Sequence, residues 1–383
     1  MINNLTKNWQ RKTLGEVCEI KSGKNQSKVI NPDGKYPIYG SSGIFGYADE
    51  YICDENTTII GRKGTINSPI YVTTKFWNVD TAFGLCVKEN LNSKFLYYFC
   101  LGFNFKKLDK STTIPSLSKG DLLSIELPIP PLDTQNLIVS KIEELFSDLD
   151  KGIEDLKTAQ QQLKIYRQSV LKWAFEGKLT NKKVKEGELP KGWKKVNLKE
   201  VCEVKRGKSK NRPRNAPELY GGNYPFIQTG DIRKANGGYI RKYSQTYSEI
   251  GLAQSKLWPK GTLCLTIAAN IGETAILNFD ACFPDSIVGL LSKEEVLFNK
   301  YLNYFFISFK QKLEELAPAT AQKNINVDIL EKVNLPLASF EEQQSIVQEI
   351  ESRLSVADKM EESITQKFIT SRSSTAEYIE EGV

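Results

Sequence analysis

The chain contains the same stretch of sequence twice. From Trp9 to Lys24 it runs WQRKTLGEVCEIKSGK, and from Trp193 to Lys208 it runs WKKVNLKEVCEVKRGK. Nine of these sixteen positions are identical at a constant offset of 184. Tyr36-Pro37 then matches Tyr224-Pro225 at offset 188, and Ile59 and Gly64 match Ile267 and Gly272 at 208. Lys94, Leu96, Tyr98 and Phe99 match Lys300, Leu302, Tyr304 and Phe305 at 206. Leu127-Pro128, Gln135, Ile138, Val139, Ile142 and Glu143 match Leu335-Pro336, Gln343, Ile346, Val347, Ile350 and Glu351 at 208. A duplication of this length calls for two modules on one scaffold. The offset grows by 20 between about residues 225 and 267, so the second copy carries an insertion near 230–258. Two copies that differ in one surface region suit two modules that read different targets.

Short Val/Ile/Leu-rich segments at 12–20, 58–60, 70–73, 83–88, 196–204, 262–267 and 273–278 predict strands separated by Gly and Pro. Residues 94–107 and 299–316 predict aromatic-rich helices packed on them, which makes each copy α+β. A long helix follows each copy. Ile142, Leu145, Leu149, Gly152, Leu156, Ala159, Leu163, Tyr166 and Val170 step 3, 4, 3, 4, the spacing of a coiled-coil seam. The second seam is poorer, with Ile346, Ile350, Leu354, Ala357, Ile364 and Phe368, and Glu361 at a seam position. About 42 residues at 1.5 Å each make a rod of roughly 60 Å. The expected architecture is therefore two duplicated α+β domains separated by two long helices in an antiparallel coiled coil with pseudo-twofold symmetry. Its boundaries are 1–132, a central helix 133–180, a linker 181–192, 193–332, and a C-terminal helix 333–383.

The chain of 383 residues has no histidine, which excludes Ser-His and Cys-His nucleophiles and every His-containing zinc site. Seven cysteines without a C-x-x-C pair read as reduced, mostly buried thiols. No apolar run approaches the length of a membrane span, and Met1–Leu5 lacks the basic and apolar parts of a signal peptide, which points to the cytoplasm. No G-x-x-x-x-G-K-[ST] loop occurs, nor a [DN]-P-P-[YF] tetrapeptide; Asn31-Pro32-Asp33 is the nearest approach. Glu19-Ile20-Lys21 and Glu203-Val204-Lys205 have the E-x-K spacing of metal-dependent nucleases, but residues 1–18 hold no Asp to share a metal. The chain reads as a binding protein without catalytic or metal residues of its own.

Net charge is +6, unevenly spread. Residues 1–132 carry 16 basic and 12 acidic residues (+4), 133–192 carry 11 and 10 (+1), 193–332 carry 21 and 14 (+7), and 333–383 carry 4 and 10 (−6). Two long basic segments fit a polyanion partner, whose counterions are released on binding.

These features together resemble the specificity (S) subunit of Type I restriction-modification systems. The resemblance is carried by the two W-x4-L-x-E-V-C-E-[IV]-K-x-G-K openings, and by Ile59-Ile60-Gly61-Arg62-Lys63-Gly64 with Trp77-Asn78-Val79-Asp80-Thr81-Ala82-Phe83. Leu265 to Gly272 with Phe283-Pro284-Asp285-Ser286-Ile287, the L-P-x-P-P-L-x-x-Q start of the helix at Leu127, and Ala174-Phe175-Glu176-Gly177-Lys178-Leu179 are also similar. The C-terminal helix departs from the pattern, because it does not end in a second A-F-x-G-K-L. The resemblance implies two target-recognition domains, each reading one half of a split, asymmetric site in double-stranded DNA. It further implies that the helices set the gap and dock two methyltransferase (M) subunits, and that restriction/translocase (R) subunits complete the complex. S-adenosylmethionine, ATP and magnesium would serve those partners. The specificity partner of a fused methylase-nuclease is an alternative of the same class, and a metal-dependent nuclease is one of a different class. Half-sites about one helical turn apart, roughly 34 Å, suit modules carried on a rod of this length.

The densest basic cluster, KRGKSKNRPR at 205–214, offers Lys205, Arg206, Lys208, Lys210, Arg212 and Arg214 to phosphates, with Lys21, Lys24 and Lys28 equivalent in the first copy. Base-reading candidates are polar residues in loops that differ between copies: Arg62, Lys63, Thr65 and Asn67 in the first, and Gln228, Thr229, Asp231, Arg233, Asn236 and Arg241 in the second.

Overall fold

The computed structural model describes residues 8–381 apart from Lys182, Asn211, Arg212, Arg214, Ala269 and 318–323, with side chains given as far as residue 370. The chain divides into two compact units, Met1–Thr158 with Ile364–Val383, and Ala159–Ser363.

The first copy opens with β1 (Gln10–Thr13), α1 (Leu14–Val17), β2 (Cys18–Ser22), β3 (Tyr36–Gly40) and β4 (Gly43–Ala48). It continues with β5 (Thr57–Gly61), β6 (Ile70–Val72), β7 (Trp77–Asn78), β8 (Ala82–Val87), α2 (Ser93–Gly102), α3 (Lys119–Leu123) and β9 (Glu126–Ile129). The long helix α4 (Leu132–Phe175) follows. The second copy opens with β10 (Lys194–Asn197), α5 (Leu198–Val201), β11 (Cys202–Arg206), β12 (Tyr220–Phe226) and α6 (Thr229–Ala235). Next come β13 (Tyr239–Ile240), β14 (Gln245–Tyr247), α7 (Glu249–Ala253), β15 (Leu263–Thr266), β16 (Thr274–Leu277) and β17 (Ile287–Ser292). It closes with α8 (Asn299–Leu316), α9 (Val327–Glu331), β18 (Asn334–Leu337) and the long helix α10 (Phe340–Glu381).

The repeated openings are not continuous strands. In each, one helical turn interrupts the strand because a carboxylate closes a capping box. The Thr13 amide and hydroxyl both donate to Glu16 Oε2 (2.6 and 2.8 Å), and the Asn197 amide and side chain donate to Glu200 Oε1 (3.0 and 2.8 Å). The helix predicted over 94–107 stops at Gly102, and a separate tight turn at Phe105–Leu108 begins where Asn104 accepts from the Lys106 amide.

The principal sheets run β2-β8-β5-β6 in the first copy and β11-β17-β15-β16-β13 in the second. Lys21 lies opposite Gly84 and Lys205 opposite Gly289, while Gly84 faces Ile59 and Gly289 faces Cys264. The counterpart of Ile59 is therefore Cys264, which corrects the sequence match to Ile267. Gly64 and Gly272 do correspond as left-handed turn residues (φ +82° and +83°), so the turn after β15 is three residues longer.

Each core gathers the same parts. Leu14, Val17 and Ile20 pack with Leu85, Phe95 and Leu96 in the first copy, and Leu198, Val201 and Val204 with Leu290, Tyr301 and Leu302 in the second. A buried glutamine fixes the start of each long helix. Gln135 donates to the Asn90 and Pro130 carbonyls and accepts from the Asn92 amide; Gln343 donates to Val296 and Ala338 and accepts from Phe298. Lys94–Glu143 and Lys300–Glu351 (2.7 Å) tie α2 to α4 and α8 to α10.

Within the second unit the end of α4 pairs with the start of α10. Val170, Leu171 and Ala174 share a core with Ile346, Val347 and Ile350, with Tyr166 and Leu354 packed at its border. Arg167 bridges Asp358 (2.6 Å) and Glu361 (2.8 Å), while Thr180, in the turn just past the end of α4, meets Glu342 (3.0 Å), so rising numbers along one segment meet falling numbers on α10: the pairing is antiparallel. Glu361, an apparent fault in the seam, is Arg167's partner. Helix α4 ends at Phe175, earlier than the expected 180, because Gly177 takes φ +74°. There the Lys178 and Gly177 amides satisfy the Trp173 and Ala174 carbonyls (2.8 and 3.2 Å), the Schellman arrangement. Phe175 lies edge-on against Tyr301 and Phe305.

Of the remaining seam residues, Ile142, Leu149, Leu156, Leu163, Ile364 and Phe368 are half-buried. Leu145 is a correction, being 55% exposed. The first turns of α4 face their own module through Gln135, Val139 and Phe146, whose ring lies 6.0 Å from that of Tyr98. One residue along a helix turns about 100°, which carries Leu145 off that face.

A candidate nucleic-acid interface

Strand register brings the candidate loops of each copy to one end of its sheet. In the first copy Ser22 pairs with Phe83 and Gly61 with Ala82, so β2 and β5 end where β8 begins. Strand β3 runs parallel to β7 toward the same end, through Ile38↔Trp77 and Tyr39↔Asn78. The loops 23–28, 41–42, 62–67 and 79–81 all leave from there. They are held by backbone bonds: Gly23 N to Ala82 O (3.2 Å), Lys24 N to Asn78 O (3.0 Å), Arg62 N to Thr81 O (2.8 Å) and Val79 N to Tyr39 O (3.0 Å). Asn78, fully buried, donates to the Lys21 and Ala82 carbonyls, and Trp77 Nε1 donates to Lys24 O (2.9 Å). The Trp77–Phe83 motif is thus a bracket for the basic loop.

The second copy repeats this. Arg206 pairs with Val288 and Thr266 with Ile287, and Phe226 bridges Cys282 in parallel. Gly207 N bonds Ile287 O (2.9 Å), Lys208 N bonds Phe283 O (3.1 Å), and Ile227 N bonds Cys282 O (2.8 Å). Both openings need glycine at this point. A Cβ on Gly23 would lie 1.9 Å from Val79 O, and one on Gly207 would lie 2.3 Å from Phe283 O. The two copies also clamp equivalent aspartate carbonyls with arginines from different strands: Arg62 Nη1 reaches Asp80 O (3.3 Å) and Arg206 Nε reaches Asp285 O (3.0 Å).

Lys24, Lys28, Lys63 and Thr65 are exposed at this end of the first copy, with Arg62 half-buried over the Phe83 ring (5.7 Å). In the second copy Arg206, Lys208 and Lys210 are exposed, and Gln228 and Thr229 lie where β12 gives way to α6. Arg212 and Arg214 lie outside the described residues.

Several candidates are otherwise engaged. Lys21 is tied to Asp54 and to the Ile52 carbonyl (both 3.2 Å), and its counterpart Lys205 to Glu203 (2.6 Å), so each ammonium already has a carboxylate. The E-x-K tripeptide of the second copy is thereby an ion cluster, which Lys256 joins at 3.8 Å from Glu203. Asp231 is buried, and its Oδ2 accepts from the Gln228 amide (2.9 Å) and Ser244 Oγ (3.2 Å), closing the capping box of α6. Asn67 Oδ1 accepts from the Phe105 amide (2.7 Å), anchoring its loop. Arg233 pairs with Glu273 (3.2 Å), and Asn236 closes α6 in the left-handed conformation (φ 46°). Arg241 follows Ile240, which pairs with Leu277, at the other end of β16 from Thr274.

Two contributors escaped the sequence reading. Lys256 stands 3.7 Å over the Trp258 ring, and burial, followed by the repulsion of Lys205 and Lys208, holds its ammonium below the usual lysine range despite Glu203. No spacing signals it, since it reaches the cluster through the tertiary fold. Phe45, at the turn of β4, projects beside Gly40 and Thr81. Among the described residues no group of three or more Cys, Asp or Glu could hold a metal ion, and no helix is long and apolar enough to cross a membrane.

Comparison with known proteins gives one consistent family. The family model described as Type I restriction modification DNA specificity domain matches residues 6–158 and again 190–367. A putative type I restriction enzyme specificity subunit of Haemophilus influenzae is 28% identical over 91% of this chain and 87% of its own length. The specificity subunit of the Escherichia coli type I restriction enzyme EcoDI is 24% identical over 93% and 83%. The fold is that of the HsdS subunit from Thermoanaerobacter tengcongensis, with a TM-score of 0.67 at 19% identity, covering 98% of this chain and 97% of that one.

Proposed function

The chain belongs to the Type I restriction-modification DNA specificity family, and from that premise we propose that it is the subunit that selects DNA for a restriction-modification complex. Each α+β module reads one half of a bipartite, asymmetric target in double-stranded DNA, while the paired long helices set the gap and dock two methyltransferase subunits. The chain itself does no catalysis. S-adenosylmethionine, ATP and magnesium are used by the methyltransferase and the restriction/translocase subunits, in the cytoplasm.

The observation that carries this reading is the duplicated sheet end. Lys24, Lys28, Arg62 and Lys63 in one copy, and Arg206, at the end of β11, with Lys208 and Lys210 in the other, stand where the loops are pinned by the same backbone bonds. Cations held on a rigid scaffold neutralise phosphates at little ordering cost, and residues between them are carried to the base edges. The copies differ where a reader of a different half-site needs to differ.

Genome-wide mapping of adenine methylation, in cells carrying the chain and its methyltransferase partner, tests this. The methylated motif should be split, with unequal halves, and exchanging residues 1–132 for those of a relative should change one half alone. A continuous motif, or one altered in both halves by the exchange, would refute it.

A further inference from the structure

The hairpin of β3 and β4 carries an apolar surface that the phosphate-binding cations do not use. Its register runs Ile38↔Gly46, Tyr39↔Ile44 and Gly40↔Gly43, which leaves Phe45 as the extra residue of a β-bulge. A bulge re-aims side chains and breaks alternation. Here it leaves Ile44 and Phe45, neighbours in sequence, both 52% exposed. The Phe45 ring lies against Gly40, 3.4 Å from where a Cβ would stand, and Thr81 Oγ1 is 3.8 Å from the same point. The Thr81 carbonyl in turn accepts the Arg62 and Lys63 amides (2.8 and 3.3 Å). The ring therefore lies, exposed, beside the loop at 79–81 that holds the start of the basic 62–67 loop. In the second module α6 and β13 intervene at this place, between β12 and β14.

We propose that Phe45 is a base-reading residue: the β3–β4 ribbon enters the major groove of the half-site read by the first module, and the ring packs on the methyl group of a thymine. This rests on the reading that module 1 recognises DNA. The major groove admits a two-stranded ribbon, and the thymine methyl is the apolar feature its base edges display. Two adjacent large apolar side chains, at the sheet end from which the Lys24, Arg62 and Lys63 loops leave, form a surface that water serves poorly and a methyl group serves well. The cations of the neighbouring loops hold the module to the phosphates, and the ring adds discrimination for the thymine methyl, which a charged side chain does not favour.

The test uses the chain bound to its methyltransferase partner and duplexes in which each thymine of the mapped motif is replaced, one at a time, by deoxyuridine, which removes only the methyl group. At one thymine of the first module's half-site, affinity should fall by about fourfold, the worth of one buried methyl. Phe45→Ala should lose the same factor on the thymine duplex and no longer distinguish thymine from uracil, whereas Phe45→Leu should retain part of the distinction. The inference is overturned if wild-type binding is indifferent to uracil throughout that half, or if Phe45→Ala still discriminates. It is also overturned if Phe45→Ala weakens both duplexes equally or loosens the methyltransferase instead. Failure of the underlying reading looks different, because then the module exchange leaves the motif unchanged.

Discussion

The first module joins β3 to β4 through Ser41 and Ser42, whereas the second inserts α6 and β13 between the equivalent strands β12 and β14. Elsewhere the modules share their fixing contacts, in the Thr13 and Asn197 capping boxes, Gly23 and Gly207, Gln135 and Gln343, and Lys94–Glu143 and Lys300–Glu351. The excursion adds an edge strand, β13, without disturbing the order β11-β17-β15-β16 that mirrors β2-β8-β5-β6. The largest variation falls in a connection whose two ends are already fixed by strand pairing. Such a site accepts insertions at low thermodynamic cost, and the same anchoring lets recognition change while the scaffold stays constant.

The largest effect should come from breaking what the modules share. Gly23→Ala and Gly207→Ala each drive a Cβ into backbone oxygen, so each should destabilise its own module by about 3 kcal/mol or more. Gly23, with the closer approach, should be the more severe in denaturant unfolding, and each variant should erase its own half of the methylated motif first. Equal, small losses would show that the loops yield and that the bracket is not rigid.

A smaller effect sharpens the contrast between cations within each module. Lys24→Ala and Lys208→Ala should weaken binding to all duplexes alike and lower the salt slope by about 0.9 for each phosphate left without its cation. Lys21→Ala and Lys205→Ala should change the slope less, because Asp54 and Glu203 already compensate those charges. Titration of binding against salt distinguishes the two pairs.

The smallest effect concerns a difference buried in the sheets. Cys86 lies opposite Glu19, and Leu291 takes the equivalent place opposite Glu203. A hydrogen bond from the Cys53 thiol, aided by Thr57 and Lys21 against the effect of burial, lowers the Cys86 thiol to about 7. Thiolate is the form that is alkylated, so labelling of Cys86 by iodoacetamide should climb about tenfold between about pH 6 and pH 8. Cys18 and Cys202, pushed up by burial to about 12, should stay unreactive over that span. Removing the donor with Cys53→Ala should move the rise in Cys86 labelling to higher pH.

Much of the fold was legible because repetition and periodicity are local. The matched openings, the 3-4 stepping of Ile142 to Val170 and the helix at 299–316 are properties of neighbouring residues. The interruption of each opening strand was legible in principle, since Thr13 and Glu16 stand at capping-box spacing, but hydrophobic alternation outweighed it. The candidate site was legible only in part. Lys24, Lys28, Arg62 and Lys63 were marked by charge, whereas the engagement of Lys21 by Asp54, of Asn67 by Phe105 and of Asp231 by Ser244 joins residues 33, 38 and 13 positions apart.

By itself, the sequence determined that this protein is a duplication with two basic α+β modules and two long helices, because repeats, apolar spacing and charge survive as one-dimensional patterns. The tertiary structure decided which cations are already neutralised, which loops share a sheet end, and that a bulge turns Phe45 outward. Those outcomes depend on strand register, and register is set by which distant segments pair in space.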